Sequence, residues 1–458
     1  MTNPAGRLLQ AVDRAAGGLA ADLSLYALSA AFALVTALTS TLLPHRAWGE
    51  IAAWSYLAAV LATLTQLLVR RADLRHTPAS PSLAPRSSVL SLVGALSGVG
   101  GRLVLTWIVW SATALLPLVV EAVQRAGGRT DRAQDEVLVV EQMGQRMLDS
   151  GTPYLGRSAI AALPAGEQLL GYAPYQPGMA IFGLPRAIAG DFWWTDARVW
   201  FAVVTGLALV FAISLLRAAA RGPVETAMPG QPDPSGALVR GLQFATVLPI
   251  CALTLATGGD DLPVLALCLL ALAFCAADRY GLAGLAVGAA AALKLFAFPV
   301  VAVLAVLAIT TGRGRRFLPG ALGLPIIVLI PPFLVERDAF LENVIRFPLG
   351  HGVVTSPAQS PFPGYLISSA LPGGRFIAAA LLAAVALAIA VLLIRRPPGT
   401  AATAALFCGW GLLAAILLMP TTRFGYLLYP LALLVWAPAL SKPTASTPLR
   451  SDTALYRS

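Results

Sequence analysis

The sequence predicts an all-α, polytopic membrane protein, a bundle of about 12 transmembrane helices (about 11 to 13) with two long outer loops that contain short amphipathic helices. Of its 458 residues, 57% are hydrophobic and only 12% are charged, whereas roughly a quarter of the residues in an average soluble domain are charged. Apolar runs of about 17–25 residues recur along the chain, and each can cross roughly 30 Å of hydrocarbon. The sequence lacks the alternation of barrel strands, so helices must satisfy the backbone polar groups in lipid.

Twelve apolar runs predict the twelve spans in chain order. They lie at residues 23–43, 51–69, 103–123, 199–216, 242–257, 262–277, 282–296, 298–311, 317–334, 376–393, 402–419 and 424–437.

Arginine clusters assign the sides of the membrane, because positive residues favour cytoplasmic loops. They follow the second, fourth, eighth and tenth runs, at residues 70–86, 217–221, 313–316 and 395–396. Both termini are therefore expected in the cytoplasm. The Ala/Arg/Gly/Pro-rich composition suggests a high-GC bacterium, so the membrane is expected to be a bacterial plasma membrane. Outside lie two long loops, residues 124–197 and 335–373, and the turns at 257–261 and 420–424.

The remaining composition excludes other classes. The net charge of +10 comes from basic clusters between apolar runs and not from one basic face, so nucleic acid is not an expected partner. The cysteines lie in or beside apolar runs without metal-ligand spacing, so disulfides are not expected. The N-terminus lacks the features of a signal peptide, so the first span is expected to stay in the mature protein.

The chain divides into three regions. Residues 1–102 hold the N-terminus, two additional spans and a basic cytoplasmic loop; residues 103–440 form the core with both outer loops; residues 441–458 form a cytoplasmic tail. No separate soluble domain is predicted.

Acidic residues follow the third span closely, at Asp131, Asp135 and Glu136. Apolar residues recur at helical spacing after them, which predicts an amphipathic surface helix over residues 133–149 that ends at Gly151. Read from spacing alone, these acids solvate the polar face and favour the N-terminus of this helix.

Two segments of the first outer loop carry a resemblance. The turn SGTPY at residues 150–154 and the segment YAPYQPGMAIFGLP at residues 172–185, after an acid and an amphipathic helix, resemble the first outer loop of the GT-C superfamily. These are membrane glycosyltransferases that take a sugar from a polyprenyl-phosphate donor. The second segment departs from the family pattern at Gln176 and has extra residues before it. The resemblance implies substrate contacts at residues of both segments, namely Tyr154, Tyr172, Tyr175 and Gln176.

A second stretch, TGGDDLPVLALCLLALAF followed by GLAGLAVGAAAALKLFAFP, resembles the bacterial polyprenyl-phosphomannose-dependent α-mannosyltransferases of this superfamily. The resemblance implies that Asp260 and Asp261 contact substrate and that Lys294 contacts the donor phosphate. Read without it, the acid pair is a solvated turn or a cation site, and the lysine is a side chain that reaches lipid headgroups. The glycines at helical spacing permit close helix packing.

Late motifs complete the resemblance, which covers roughly residue 103 to the end. The loop motif RFPLGHG contains Arg346 and His351, and the motif TTRFGYLLYP contains Arg423 and Tyr426. The resemblance implies that Arg346, His351 and Arg423 join Lys294 around the donor phosphate, and that Tyr426 contacts substrate. Alternatively, the histidine is an ordinary loop residue and Arg423 a flanking anchor.

The implied reaction transfers a sugar from a polyprenyl phosphate to a hydroxyl of an envelope glycan or glycolipid. Asp135 is the candidate base, with Glu136 and Asp131 as alternatives, and a single base favours inversion. Mannose is favoured by the resemblance, and a pentose remains open. No cofactor is expected and no metal site is evident, although the Asp260–Asp261 pair leaves a divalent cation open.

Two rival functions remain at this stage, a multi-span transporter or flippase of lipid-linked or envelope precursors, and an envelope assembly protein. The enzyme hypothesis requires Asp135, His351 and at least one of Lys294, Arg346 and Arg423 to meet in one outer cavity open to lipid.

Overall fold

The computed structural model describes residues 15–75, 98–220 and 234–441. Across these ranges the chain is helical, and a single isolated bridge pairs Gln359 with Thr422. The predicted C-terminal tail after residue 441 and most of the basic loop after the second span lie outside the described residues.

The α-helices follow the chain in this order: α1 (Leu19–Thr39), α2 (Leu43–Arg75), α3 (Val99–Ala126, with a π-helical turn at Ser111–Leu115), α4 (Asp135–Ser150), α5 (Arg157–Ala162), α6 (Leu184–Ala189), α7 (Ala197–Ala220), α8 (Pro234–Thr246), α9 (Pro249–Thr257), α10 (Asp261–Ala276), α11 (Tyr280–Leu293), α12 (Phe298–Thr310), α13 (Gly314–Val335), α14 (Arg337–Leu341), α15 (Pro363–Ala370), α16 (Gly374–Arg395), α17 (Ala401–Leu418) and α18 (Leu428–Trp436).

Seven of these helices are long and apolar enough to cross a membrane: α1, α2, α3, α7, α13, α16 and α17. Helices α8 and α9 meet at a bend of 41° and together form an eighth candidate span. Four shorter apolar helices of 10–17 residues complete the set. Two are α10 and α11, and the other two contain α12 and α18 together with the short turns beside them. Each predicted apolar run coincides with one of these helices or with the bent pair, which confirms the polytopic helical class.

Glycines bring α11 and α13 into close contact. A Cβ on Gly284 would overlap the carbonyl oxygen of Phe317, and one on Gly288 would overlap that of Gly320. The predicted close packing of small residues is therefore confirmed for α11.

The α1–α2 hairpin is joined to the rest of the bundle by polar contacts. Trp48 Nε1 donates to the carbonyl of Thr113 at 2.8 Å, and the Tyr56 hydroxyl donates to the carbonyl of Val247 at 2.6 Å. Both aromatic side chains are fully buried. The two spans predicted as an addition thus pack as an integral part of the bundle.

A buried ionic cluster holds the start of α1. Asp22 accepts from Arg102 Nε at 2.6 Å and Nη2 at 2.9 Å, and from Gln243 Nε2 at 3.0 Å, while Arg240 Nη1 lies 3.0 Å from its carboxylate. We call these four residues the Asp22 cluster. They join the start of α1 to the start of α3 and to the second half of α8, towards the end of the bundle opposite the long loops.

The end of the bundle that carries residues 127–196 and 336–373 is called the loop end. The two long loops meet there, because Tyr172 stacks on Phe347 with ring centroids 4.0 Å apart and its hydroxyl donates to Glu342 at 2.8 Å. Asn343 Oδ1 accepts from the backbone of Ala173 at 2.8 Å. The loops therefore pack as one layer over the helix ends.

Helix α4 confirms the predicted amphipathic helix and ends at Gly151, whose φ of 74° is left-handed. Its buried face reaches the following loop through two glycines: a Cβ on Gly144 would overlap the backbone of Gly183, and one on Gly183 would overlap the carbonyl oxygen of Val140. Glu141 is buried and pairs with Arg125 at 2.6 Å. The polar residues of α4 thus contribute to packing as well as to solvation.

Candidate active site

A cavity of about 2160 Å³ opens at the loop end. Polar side chains from several helices line it there: His45, Gln134, Asp135, Glu136, Tyr172, Tyr175, Asp260, Asp261, Lys294, Arg423 and Tyr426. It continues as an apolar groove, lined by residues of α1, α8, α9 and α18, as far as Arg240.

Asp135 is the first residue of α4 and lines the cavity. Its carboxylate has no hydrogen-bond or ion-pair partner within the described parts of the chain. Partial burial raises the pKa of Asp135 above its usual value, the neighbouring Glu136 charge adds to this, and Arg423 opposes it. Asp135 is thus a carboxylate whose oxygens are available for a proton.

Glu136 is already paired. Its Oε1 accepts a hydrogen bond from Arg423 Nη1, which joins α4 to the segment that leads into α18. The Arg423 side chain is 40% exposed and lines the cavity, so its remaining N–H groups face a space that a ligand could enter.

Lys294 lies between two carboxylates. Its Nζ is 2.9 Å from Asp260 Oδ2 and 2.6 Å from Asp261 Oδ1, and the Tyr429 hydroxyl donates to Asp261 Oδ1 at 2.8 Å. All three charged side chains are buried, and burial raises the pKa of Asp260 to about 6. The alternatives of a lysine that reaches the headgroups and a solvated acid turn are therefore wrong: the ammonium points inward and neutralises the acids.

Aromatic rings surround this lysine. Its Nζ lies 5.2 Å from the ring centroid of Tyr175 and 5.7 Å from that of Tyr426. Tyr154 supports the site indirectly, because its hydroxyl donates to the Tyr175 carbonyl at 2.8 Å. Gln176 does the same, since its backbone N–H donates to the carbonyl of Leu293 at 3.1 Å. Neither Tyr154 nor Gln176 lines the cavity.

Three predicted site residues lie elsewhere. His351 is exposed, and its backbone carbonyl accepts from Arg157 at 2.8 Å. Arg346 lies 3.5 Å from Glu342 on the outer surface of the loop layer. Asp131 pairs with Arg129 and Arg132, and the hydrogen bond from Arg129 lowers its pKa. Asp135, Lys294 and Arg423 share the cavity as predicted, but the predicted meeting required His351 as well and is wrong for that residue, which lies outside the cavity.

His45 is a cavity residue that the sequence reasoning missed. It lies in the first turn of α2, with Nε2 2.6 Å from Gln134 Nε2. A signal was present, because the turn between the first two predicted spans is on the same side as both long loops. The family resemblance begins at about residue 103, so it does not extend to this histidine.

A strap from the second loop borders the site, formed by residues 356–361, which line the cavity. Ser360 N donates to the Thr422 carbonyl at 2.9 Å, Thr422 N donates to the Ala358 carbonyl at 3.0 Å, and Ser360 Oγ accepts from Phe424 N at 2.9 Å. These contacts hold the backbone on either side of Arg423.

The described helices form a membrane-type bundle that holds acids, cations and aromatic rings in one cavity at one end. In a comparison with protein families, the model of glycosyltransferase family 87 matches residues 172–420, more than half of the chain. The chain belongs to this family, which is consistent with the predicted GT-C-like membrane glycosyltransferase and supports a glycosyltransferase over a transporter or an assembly protein. No curated protein matches the chain, and no solved structure does.

The family match covers Lys294 with its partners Asp260 and Asp261, which we call the Lys294 cluster, and two of the four predicted tyrosines, Tyr172 and Tyr175. It begins after Asp135 and ends before Arg423. The cavity is therefore built from the matched region together with helices on either side of it.

Proposed function

We propose that this glycosyltransferase moves a sugar from a polyprenyl-phosphate donor to a hydroxyl of an envelope glycan or glycolipid. One observation carries the proposal: Asp135, a carboxylate without a hydrogen-bond or ion-pair partner among the described residues, shares a single cavity with Arg423 and Lys294, and this cavity continues into an apolar groove.

The groove supports a lipid donor. Leu25, Leu28 and Phe32 of α1 line it together with Leu248 and Leu253. Leu28 is 72% exposed and Phe32 is 47% exposed, so apolar side chains border the groove where it meets the surrounding lipid. An isoprenoid chain can enter such a groove from the bilayer without leaving an apolar medium, whereas a water-soluble sugar nucleotide has no apolar chain to place in it.

Arg423 and Lys294 are the proposed phosphate contacts. An arginine has five N–H donors in a planar fork and a lysine has three. Glu136 uses part of the Arg423 fork, and Asp260 and Asp261 use two of the Lys294 donors. The roles predicted for His351 and Arg346 stay predictions, and the cavity supports them less because neither residue lines it.

Asp135 is the proposed base. It takes the proton of the acceptor hydroxyl while the hydroxyl oxygen bonds to the anomeric carbon, and the bond from that carbon to the phosphate oxygen breaks. The phosphate leaves with the bonding electrons, and the nearby cations stabilise its charge. Attack by one base-assisted hydroxyl inverts the anomeric centre. Glu136 is less suited because it is paired, and Asp131 because it lies outside the cavity.

Two further points follow from the sequence. The arginine clusters fall at the end opposite the loops, which favours a loop end that faces outside the bacterial plasma membrane. Mannose is the favoured sugar because the sequence resembles the polyprenyl-phosphomannose-dependent α-mannosyltransferases, and a pentose is the second candidate.

The test supplies labelled polyprenyl-phosphomannose and a mannoside acceptor to purified wild type, Asp135→Asn and Asp149→Asn. We expect transfer by the wild type, a fall of about 10²–10⁴-fold for Asp135→Asn, and no change for Asp149→Asn, an exposed acid at the far end of α4. Unchanged transfer by Asp135→Asn would remove it as the base. No transfer or hydrolysis by wild type with any polyprenyl-phosphate hexose or pentose would overturn the donor class.

A further inference from the structure

We infer that the α1–α2 hairpin is part of the active site, and that His45 is the positioning residue through which the hairpin holds the start of α4. The contact between His45 and Gln134 is observed in the structure. Its effect on catalysis rests on the proposed function of Asp135.

Gln134, the residue that precedes Asp135, contacts both the hairpin and the turn before α10. Its side-chain Nε2 lies 2.6 Å from His45 Nε2, and its Oε1 accepts from Thr257 Oγ1 at 3.2 Å. Its backbone N–H donates to the Thr257 carbonyl at 3.0 Å. One residue therefore joins the hairpin, the start of α4 and the turn that leads to the Asp260–Asp261 pair.

The Gln134 amide has little freedom. A Cβ on Gly258 would lie 2.6 Å from Gln134 Oε1, so the turn packs directly against the amide. Gln134 occupies the N-cap position of α4 but makes no side-chain cap hydrogen bond. A neutral imidazole whose proton is on Nδ1 can accept the amide proton at Nε2. The start of α4 is thus fixed by contacts to other segments and not by its own cap.

His45 is itself held firmly. It follows the buried Pro44 and precedes by one turn Trp48, whose indole donates to the carbonyl of Thr113 at 2.8 Å. The hairpin is also fixed lower down by Tyr56 and by the Asp22 cluster. A histidine on so well-anchored an element can act as a fixed support for Gln134.

Neither partner belongs to the matched family region, which starts at residue 172. The hairpin therefore gives this chain a support for the base that the matched region does not contain. A displacement of about 1 Å at a reacting group can cost about 10²-fold in rate, so loss of this support should affect turnover more than donor binding.

The first measurement compares kcat and donor KM for His45→Ala, Gln134→Ala and the double variant, with His45→Gln as the conservative replacement. We expect kcat to fall by up to about 10²-fold with donor KM little changed, and the double variant to be no worse than either single one. His45→Gln, which keeps an acceptor at a similar reach, should recover part of the rate. Arg46→Ala is the control, because that neighbouring side chain is exposed. Unchanged kcat or additive losses would overturn the inference.

The second measurement does not depend on activity. Amide hydrogen exchange at residues 135–141 should be faster in His45→Ala than in wild type and unchanged in Arg46→Ala. Exchange that stays equal to wild type in His45→Ala would overturn the inference whatever the kinetics. A wild type that transfers no sugar would overturn the proposed function alone, because the exchange result would still report the contact.

Discussion

Asp22 and Asp135 lie at opposite ends of the bundle and show two uses of the same side chain. Asp22 accepts hydrogen bonds from Arg102 and Gln243 and pairs with Arg240, and it is 2% exposed. Asp135 has no such partner among the described residues and faces a cavity. A carboxylate whose lone pairs are all taken holds helices together, whereas one whose lone pairs are open is available for chemistry.

Glu136 and the Lys294 cluster lie between these extremes. Their charges are paired as in the Asp22 cluster, yet they line the cavity as Asp135 does. Paired groups on a cavity wall can exchange part of their hydrogen bonding for a ligand. The two ends therefore differ in whether their charged side chains face other helices or the cavity, and not only in burial.

The largest expected effect is on stability, at the paired end. Asp22→Ala leaves Arg102 and Arg240 without their shared carboxylate, and breaking a buried ion pair costs about 3–5 kcal/mol. We expect a loss of that size in the free energy of unfolding, measured by denaturation in detergent micelles. The rate per folded molecule should stay at the wild-type value, because Trp48 and Tyr56 still anchor the hairpin near the site.

Glu50→Gln, an exposed change on the same hairpin, should leave stability unchanged. The comparison would break if Asp22→Ala abolished transfer in molecules that remain folded, because Asp22 would then serve the reaction.

The next effect is on donor binding, at the open end. Arg423→Gln removes a cation from the cavity, and a hydrogen bond to a charged group contributes about 1.5–3 kcal/mol. We expect the KM for the polyprenyl-phosphate donor to rise about ten- to a hundredfold, measured by steady-state kinetics. Arg279→Gln, an exposed change at the opposite end, serves as the control. A donor KM equal to wild type in Arg423→Gln would remove Arg423 as a phosphate contact.

The smallest effect is on the pH profile. Asp135 must be ionised to act as the base, so the rate falls as the pH drops through its pKa. The Glu136 charge raises that pKa and Arg423 lowers it. Glu136→Gln removes the charge that raises the pKa of Asp135 and releases Arg423, which lowers it. The acidic limb of kcat/KM should therefore move to lower pH. A limb that moves to higher pH, or the same shift in Asp149→Asn, would contradict the proposed electrostatic contact.

Much of the fold could be predicted from sequence, because hydrophobic length directly reports the spans. The short helix α11 was also predicted, although Lys294 follows it and limits its length. The position of Asp135 at the start of an amphipathic helix could be predicted because it follows a span and precedes apolar residues at helical spacing, both of which are local patterns. The partners of Lys294 were not predicted, since Asp260 and Asp261 reach it only after α10 and α11 fold against each other.

The second loop shows where local patterns stop being sufficient. The direction of His351 depends on how the chain turns after α14, through a π-helical segment at Glu342–Arg346 and a left-handed Gly350 with φ of 80°. These turns depend on contacts with the first loop, such as the stack of Tyr172 on Phe347. His45 was missed for a different reason, since its importance comes from a contact with Gln134, 89 positions away.

The glycine contact beneath α4 has a consequence for how this enzyme should be dissected. Gly144 and Gly183 let the backbone that carries Asp135 rest directly on the next segment, and either one would clash with its neighbour if it had a side chain. Alanine scanning removes side chains and treats glycine as already minimal, so it would pass over both positions. A scan that adds a methyl group at glycines would test whether the reach of the base is encoded by the absence of atoms.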